Sequence, residues 1–307
     1  MNEFSGASRI VVLHEGANPT SDFYLTPRLA LQPLPVEWIT LKDRPDAAVF
    51  DKAAVVVVRY LTPAWKGVLD ANYDKLFGCF WLIDDDLLDF SVLLRVSGGL
   101  GWKWFWRAWR FKSWFKRKGV KLWVSTPYLE KKYAAWSPRV MPPCSPYPSF
   151  DVNAQVGVSS LQPAIVFYHG SISHRHEQRW LYPVFAAVAK RCPEVVFEVI
   201  GSASVAHFFA SIPQVKVHSP MSWNHYKVWI QKPGRTLGLA PLLDNHVNAA
   251  RAPTRFYDIQ AAGAIGLFAK GPVYEAIVKQ EGGGMLLPMD QQVWIDEIIR
   301  LVNRLDA

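Results

Sequence analysis

Short apolar runs alternate with segments of helical character along the chain, and this alternation constrains the fold more than any other feature. In the first half the runs are residues 9–13, 36–41, 53–60, 80–83 and 120–124. The run at 53–60 contains four consecutive valines, and such unbroken apolar strands are typical of a parallel sheet covered on both faces. Strands that alternate with helices predict an α/β fold with a doubly wound sheet.

The segment Ala252–Gly263 predicts a helix between two further apolar runs. Pro253 has a preset φ and no amide hydrogen, which suits the first turn of a helix, and Gly263 suits the residue just past its end. The first turn of such a helix carries free N–H groups and a partial positive charge, to which Arg255 adds a full charge. The segment therefore indicates an anion site at the C-terminal edge of a sheet, and the alternative is a helix that only packs on that sheet.

Length and composition indicate a globular protein of one or two domains. The chain has 307 residues, half of them apolar and a fifth charged. Its three cysteines are few, odd in number and widely spaced, which argues against a disulfide framework or a zinc site and fits a reducing compartment. We expect neither a signal peptide nor a transmembrane helix, because no apolar run approaches about 18 residues. Six prolines between residues 137 and 163 predict a domain boundary.

Five segments in the second half carry a family resemblance in their order along the chain. They are IVFYHGSISHRHEQRW, VKVHSPMSWNHYKVWI, TLGLAPLLDN, TRFYDIQAAGAIGLFAKGP and GGGMLLPMDQQVWIDEIIRLV. From Ile165 onward the chain resembles the donor-binding half of a GT-B glycosyltransferase of the family 4-like group. The resemblance implies two Rossmann-like, doubly wound domains that face each other across a cleft. We expect an acceptor-binding domain over 1–145, a linker over 146–163 and a nucleotide-sugar-binding domain over 164–307.

The resemblance also implies which residues bind the donor: Gly170, Ser171, Arg175, Thr254, Arg255, Phe256 and Asp258. A glycine turn lets the backbone approach a phosphate, and Arg175 is the basic residue nearest to it. Asp258 corresponds to the second of two glutamates in the family motif, the one that holds the ribose; a solvent-exposed helix acid is the alternative. The first glutamate falls on Ala250, so the sugar-contacting part of the motif is missing. The histidines at 174 and 176 fit a solvated helix start equally well.

Three consecutive acids, Asp84, Asp85 and Asp86, follow the predicted strand 80–83. Adjacent carboxylates repel one another, so at least one should have a raised pKa unless a cation is near. The cluster could supply a general base for an acceptor hydroxyl or bind a metal, or Asp85 or Asp86 could cap a helix. GT-B enzymes generally need no catalytic metal, so we expect none and no cofactor. The candidate catalytic residues are Asp84, Asp86 and His14, although His14 could instead be a packed histidine.

The segment 99–121 concentrates the positive charge of the chain among aromatic residues. The eight basic residues between Trp102 and Lys121 have no acid among them, and without them the chain has 26 basic and 26 acidic residues. Such a segment can lie at a membrane interface, bind nucleic acid, or pack as a loop with a solvated basic face. We favour an anionic membrane surface and expect no nucleic-acid partner. The predicted membrane-binding residues are Trp102, Trp104, Trp106, Trp109, Lys116, Arg117 and Lys118.

These observations predict a cytoplasmic enzyme on the inner face of the cytoplasmic membrane. It would transfer a sugar from a nucleotide-sugar donor to a membrane-associated glycan or a lipid-linked acceptor of the cell envelope, such as lipopolysaccharide. The resemblance favours retention of anomeric configuration. The alternatives are a GT-B epimerase and a catalytically inactive GT-B scaffold that binds the membrane and a partner.

Overall fold

The computed structural model describes residues 3–44, 46–96, 99–148, 163–170 and 175–305. The chain divides into two compact units. The first comprises Met1–Pro146 and Ala249–Ala252, and the second comprises Tyr147–Asn248 and Pro253–Ala307. The first unit thus includes four residues from the part of the sequence predicted as the second domain. Most of the predicted linker, 146–163, lies outside the described residues.

The first unit contains a six-stranded parallel sheet. Its strands in chain order are β1 Arg9–His14, β2 Val36–Thr40, β3 Ala53–Val58, β4 Gly78–Ile83, β5 Lys121–Val124 and β6 Arg139–Val140. Their order across the sheet is β2-β1-β3-β4-β5-β6. Every residue of β3 is buried, as the run of valines predicts. All carboxyl ends of the strands lie at one edge, which we call the C-terminal edge.

The α-helices described between these strands are α1 Pro19–Tyr24, α2 Thr26–Leu29, α3 Pro63–Asn72, α4 Phe90–Leu93, α5 Leu100–Arg107, α6 Lys112–Arg117 and α7 Pro127–Lys132. Three of them start in the same way, at Asn18-Pro19, Thr62-Pro63 and Thr126-Pro127. In each case the polar side chain accepts a hydrogen bond from an amide in the first turn, and proline occupies the first helical position, where no amide donor is needed. These pairs fix where the chain turns from strand to helix at the C-terminal edge.

The second unit contains another six-stranded parallel sheet. Its strands are β7 Ile165–Tyr168, β8 Val196–Ile200, β9 Val215–His218, β10 Arg235–Ala240, β11 Ile265–Ala269 and β12 Gly284–Leu287. The order across the sheet is β12-β11-β10-β7-β8-β9. The helices are α8 Arg175–Arg191, α9 Ala203–Phe209, α10 Trp223–Ile230, α11 Thr254–Ala261, α12 Glu275–Glu281 and α13 Gln291–Leu305.

Packing in the second unit places α11 close to the sheet. A Cβ atom at Gly238, in the middle of β10, would lie 2.5 Å from the side chain of Ile259 on α11, so only glycine allows this approach. Helices α8 and α13 cover the sheet with a shared apolar core that includes Phe185 and Trp294. Both sheets are doubly wound and parallel, which confirms the predicted fold class.

Candidate functional site

The order of the strands in the second unit locates a crevice for a ligand. The chain runs from β7 outward to β9 on one side, returns to β10 beside β7, and continues outward to β12 on the other side. In open α/β sheets, ligands bind at this reversal of direction, beyond the carboxyl ends of the strands. Here the crevice lies beyond Tyr168 of β7 and Ala240 of β10.

Helix α11 begins at this crevice, and no side-chain cap is found for its first turn in the described parts of the chain. Its N-cap residue is Pro253, which makes no side-chain hydrogen bond to the first turn. By contrast, the caps of α3, α7 and α10 are hydroxyl side chains that do. The free donors and the positive end of the helix dipole at Thr254 therefore suit an anion.

Arg255 extends this positive site with a partly buried cation. Its Nη2 donates to the phenol oxygen of Tyr168 at 3.2 Å, and its guanidinium carbon lies 4.7 Å from the centroid of the Tyr168 ring. Burial alone would lower the pKa of Arg255, but Tyr168, Tyr274 and Glu177 around it raise the pKa above its ordinary value, so the group stays charged. Its Nη1 is buried and has no hydrogen-bond partner among the described residues. A buried charged donor without an acceptor is costly, and an anion would satisfy it.

The other predicted donor residues differ in their exposure and packing. A Cβ atom at Gly170 would lie 2.7 Å from the ring of Tyr168, so this position requires glycine. Arg175 is the first residue of α8 and is exposed. Ser171 lies outside the described residues. Phe256 is corrected to a packing role, because its side chain is buried and its ring packs against that of Phe268.

Asp258 lies one helical turn after Thr254, and two phenols hold its carboxylate. Tyr147 and Tyr226 both donate to it. Burial raises the pKa of Asp258 to about 6, although the phenol of Tyr147 and the charge of Arg255 oppose the rise. A buried acid with a raised pKa is typical of functional sites. The carboxylate has four lone-pair positions, so it retains acceptor capacity beyond the two phenols.

At the C-terminal edge of the first unit, Asp84 lies against the cation of Arg59. The Nε of Arg59 is 3.1 Å from Oδ1 of Asp84, and its Nη2 is 2.7 Å from Oδ2 of Asp85. Thr20 of α1 donates to Oδ2 of Asp84 at 2.7 Å. Burial raises the pKa of Asp84 above its ordinary value, and the charge of Arg59 opposes the rise. The cation that three adjacent carboxylates require is therefore present.

Asp86 has a structural role instead of the predicted catalytic one. Its side chain is 1% exposed, accepts a hydrogen bond from the phenol of Tyr133 and lies 2.5 Å from Nζ of Lys132. Both of its oxygens are thus engaged by the end of α7. His14, at the end of β1, is half-buried; its Nδ1 lies 2.9 Å from the carbonyl oxygen of Gly16 and its ring meets Trp38 edge to face.

The aromatic part of segment 99–121 forms a contiguous surface that extends to α4. Trp102 is 67% exposed, Trp106 41% and Phe90 48%, and their rings contact those of Phe105 and Trp109, which are half-buried. We call these five residues the aromatic patch. The guanidinium of Arg110 lies 4.7 Å above the ring of Trp106.

Two predicted membrane residues are corrected. Trp104 is 1% exposed, so it belongs to the core. Lys118 is tied to the fold, because it lies 3.2 Å from Asp70 and over the ring of Tyr73. Lys116 and Arg117 are exposed as predicted. No helix in the described parts of the chain has the length and apolar character needed to cross a bilayer.

The sequence patterns did not indicate Tyr168, Tyr147 and Arg59, which contact predicted site residues, or Arg251, which pairs with Asp85. Nη1 of Arg251 lies 3.0 Å from Oδ1 of Asp85 within the first unit. For the two arginines the signal in the sequence was indirect, because three adjacent acids require a nearby cation. Among the described residues, no three histidine, cysteine or acidic side chains are placed to hold a metal ion.

The chain is similar to known proteins in its fold. No family model matches the chain, and no curated protein matches it. The solved structure of WaaG, a glycosyltransferase involved in lipopolysaccharide biosynthesis, is similar at 14% identity and a TM-score of 0.56, over 97% of this chain and 92% of WaaG. The UDP-GlcNAc 2-epimerase of Methanocaldococcus jannaschii is similar at 9% identity and a TM-score of 0.52, over 96% of this chain and 92% of the epimerase.

A third similar structure is a mutant of S. aureus TarM in complex with fondaparinux, α-GlcNAc-glycerol and UDP. Its identity is 12% and its TM-score 0.52, over 84% of this chain but only 50% of TarM, so the chain spans about half of that protein. These likenesses do not confirm family 4 specifically. Together with the two doubly wound parallel sheets, they show that the chain has the GT-B fold.

Proposed function

We propose that the protein is a glycosyltransferase that takes a sugar from a nucleotide diphosphate donor bound to the second unit. The observation that carries this proposal is the start of α11, where Pro253 provides no side-chain cap and the buried Nη1 of Arg255 has no hydrogen-bond partner among the described residues. Both features suit an anion, and this end of the sheet is where ligands of open α/β sheets bind. The similarity to WaaG and TarM supports glycosyl transfer as the reaction.

The proposed donor-binding residues contact different parts of the nucleotide. Arg255 and the amides of α11 hold the pyrophosphate and stabilise its charge as the bond to the sugar breaks. The carboxylate of Asp258 accepts hydrogen bonds from the ribose hydroxyls. Gly170 and Arg175 are proposed to border the phosphates. No cofactor or metal is assigned to the site.

Asp84 is the proposed general base in the first unit, which would bind the acceptor. An acceptor hydroxyl attacks the anomeric carbon, its proton passes to Asp84, and the nucleoside diphosphate leaves with the electrons of the broken carbon–oxygen bond. His14 lies at the same edge and is a second candidate to contact the acceptor. Attack from the face that the leaving diphosphate occupies would retain the anomeric configuration, as the family resemblance predicts, and attack from the opposite face would invert it. NMR of the product anomer distinguishes the two.

Arg255→Gln should weaken the binding of nucleoside diphosphates about 10- to 100-fold and change the binding of nucleosides little. Loss of a charge-assisted contact reduces the favourable free energy of binding by about 1.5–3 kcal/mol. A nucleoside has no phosphate and therefore does not make this contact. Isothermal titration calorimetry of the diphosphate and the nucleoside with both proteins measures this.

Arg179→Gln, which removes an exposed arginine of α8, serves as the control and should bind both ligands like the wild type. An equal loss of affinity for diphosphate and nucleoside in Arg255→Gln would contradict the phosphate role. Diphosphate binding followed by epimerisation of the sugar, without transfer, would replace the transferase by an epimerase. Binding without any turnover would indicate an inactive scaffold.

We further propose that the aromatic patch docks the enzyme on an anionic membrane surface, on the cytoplasmic side, where a lipid-linked or lipopolysaccharide acceptor would be reached. Exposed indole rings suit the headgroup region of a bilayer. The patch is next to a segment in which Arg110, Lys116 and Arg117 are exposed and no acid occurs. These charges complement anionic lipid.

Replacement of Trp102 and Trp106 by serine should release the protein from anionic vesicles at all salt concentrations, because salt does not screen apolar insertion. Replacement of Lys116 and Arg117 by glutamine should weaken binding mainly at low salt. Each charge contributes about 1 kcal/mol near the surface and acts over roughly 10 Å at 0.1 M salt. Co-sedimentation across a salt series measures both effects.

The matched control is Trp38→Ser, which removes a partly exposed tryptophan of β2 outside the patch and should sediment like the wild type. Failure of the wild type to sediment with anionic vesicles at any salt concentration would refute membrane docking and leave the patch as a protein-binding surface.

A further inference from the structure

Arg59 occupies the reversal point of the first sheet in an unfavourable backbone conformation. The chain runs from β1 to β2 on one side and returns to β3 on the other, and Arg59 is the first residue after β3. Its φ of 58° is in the left-handed region, which is costly for a residue with a Cβ atom and occurs mainly where function requires it.

Hydrogen bonds from β4 hold this conformation in place. The amide of Arg59 donates to the carbonyl oxygen of Leu82 at 2.8 Å, and the indole of Trp81 donates to the carbonyl oxygen of Arg59 at 3.1 Å. Trp81 is fully buried and stacks on Phe115, so its indole is a rigid donor. The fold thus fixes the strained residue at the position where ligands of such sheets bind.

The strained turn directs the guanidinium onto the acids that follow β4. Nε lies 3.1 Å from Oδ1 of Asp84, Nη2 lies 2.7 Å from Asp85, and Nη1 donates to Thr20 at 3.4 Å. The Nε and Oδ1 atoms are both buried and lie 3.1 Å apart, and neither has another hydrogen-bond partner among the described residues. The ion pair therefore holds the charge of Arg59 against the buried oxygen of Asp84.

We infer that Arg59 is a positioning residue that keeps Asp84 ionised and fixed in place for its role as the base. The inference rests on the proposed function, in which Asp84 is the base. It adds to that function a residue whose role is separate from contact with either substrate.

The charge of Arg59 should set the pH dependence of the reaction. The groups that face the Asp84 carboxylate from the surrounding elements are Arg59, Asp85, Thr20, Tyr24 and Arg251. Arg59 is the closest cation, Asp85 opposes ionisation, and Arg251 assists it. Removal of a cation this close raises the pKa of an aspartate by about one to three units.

The test is the pH profile of kcat/KM for sugar transfer in the wild type, Arg59→Gln and Arg59→Lys, combined with a carbon-detected NMR titration of the Asp84 carboxyl. In Arg59→Gln the acid limb and the NMR titration should both move up by at least one pH unit. Arg59→Lys keeps the charge and should bring both close to their wild-type positions. Arg9→Gln, which removes an arginine paired with Glu37 in the same sheet, should change neither.

An unchanged acid limb in an active Arg59→Gln enzyme would overturn the inference, as would an equal shift in Arg59→Lys. A lack of transfer with every donor in the wild type would instead refute the proposed function. In that case the NMR titration still decides whether Arg59 holds Asp84 in its charged form. If Arg59→Gln does not fold, a shifted limb in Arg59→Lys contradicts the inference and an unshifted one supports it.

Discussion

Asp84→Asn should lower kcat for sugar transfer by about 10²–10⁴-fold and leave the affinity for the donor unchanged. A positioned general base contributes a rate factor of about that size, and asparagine cannot accept the proton. The residues proposed to bind the donor lie in the other unit, so their contacts should be unaffected. Single-turnover kinetics with saturating donor, combined with calorimetry for donor binding, separate the two quantities.

Asp86→Asn is the matched control for this prediction. Asp86 is buried between Lys132 and Tyr133, so its loss should lower the free energy of unfolding while each folded molecule turns over at a near-normal rate. A near-normal rate for Asp84→Asn, or a larger loss of rate for Asp86→Asn than for Asp84→Asn, would contradict the assignment of the base.

Asp258→Asn should stabilise the protein at pH 7.5 by up to about 3 kcal/mol and still weaken the binding of ribonucleotide donors. The pKa of Asp258 is raised from 3.8 to about 6 in the folded state. The folded state therefore favours the neutral acid. This contribution to stability is fully present below pH 3.8 and is lost as the pH rises through 6. Roughly two pKa units at 1.36 kcal/mol each give the expected gain.

Urea unfolding of both proteins at pH 4 and pH 7.5 measures this effect, and the two should differ only at the higher pH. Calorimetry with ribonucleotides and 3′-deoxyribonucleotides tests the ribose contact, because the variant should lose the preference for the 3′-hydroxyl. A stabilised variant with undiminished preference would show that Asp258 is held by Tyr147 and Tyr226 for a purpose other than donor binding.

Local chemistry explains which parts of the structure could be predicted from the sequence. Proline and glycine mark the ends of α11, and apolar runs mark the strands, because these signals depend on few neighbouring residues. The position of Arg255 at the start of a helix followed directly from them, since helix α11 begins at Thr254.

Long-range contacts explain the errors. Lys132 and Tyr133, which bury Asp86, are more than 40 residues away from it in the sequence. Trp104 is two residues from both Trp102 and Trp106, which puts it on the opposite side of helix α5. The sequence does not show where α5 begins and ends, because aromatic residues occur on all sides of it. Arg59 has a left-handed backbone conformation, which no sequence rule predicts for arginine.

A thermal-shift panel of the wild-type protein with UDP, GDP, ADP, dTDP and CMP tests whether a nucleoside diphosphate binds to the second unit. A ligand that binds only the folded state stabilises it by about 2.7 kcal/mol at a hundredfold excess over its dissociation constant. We predict that at least one diphosphate raises the melting temperature and that its nucleoside raises it much less. If none of the five nucleotides changes the melting temperature at millimolar concentration, the start of α11 is not a donor site and the proposed transferase function is wrong.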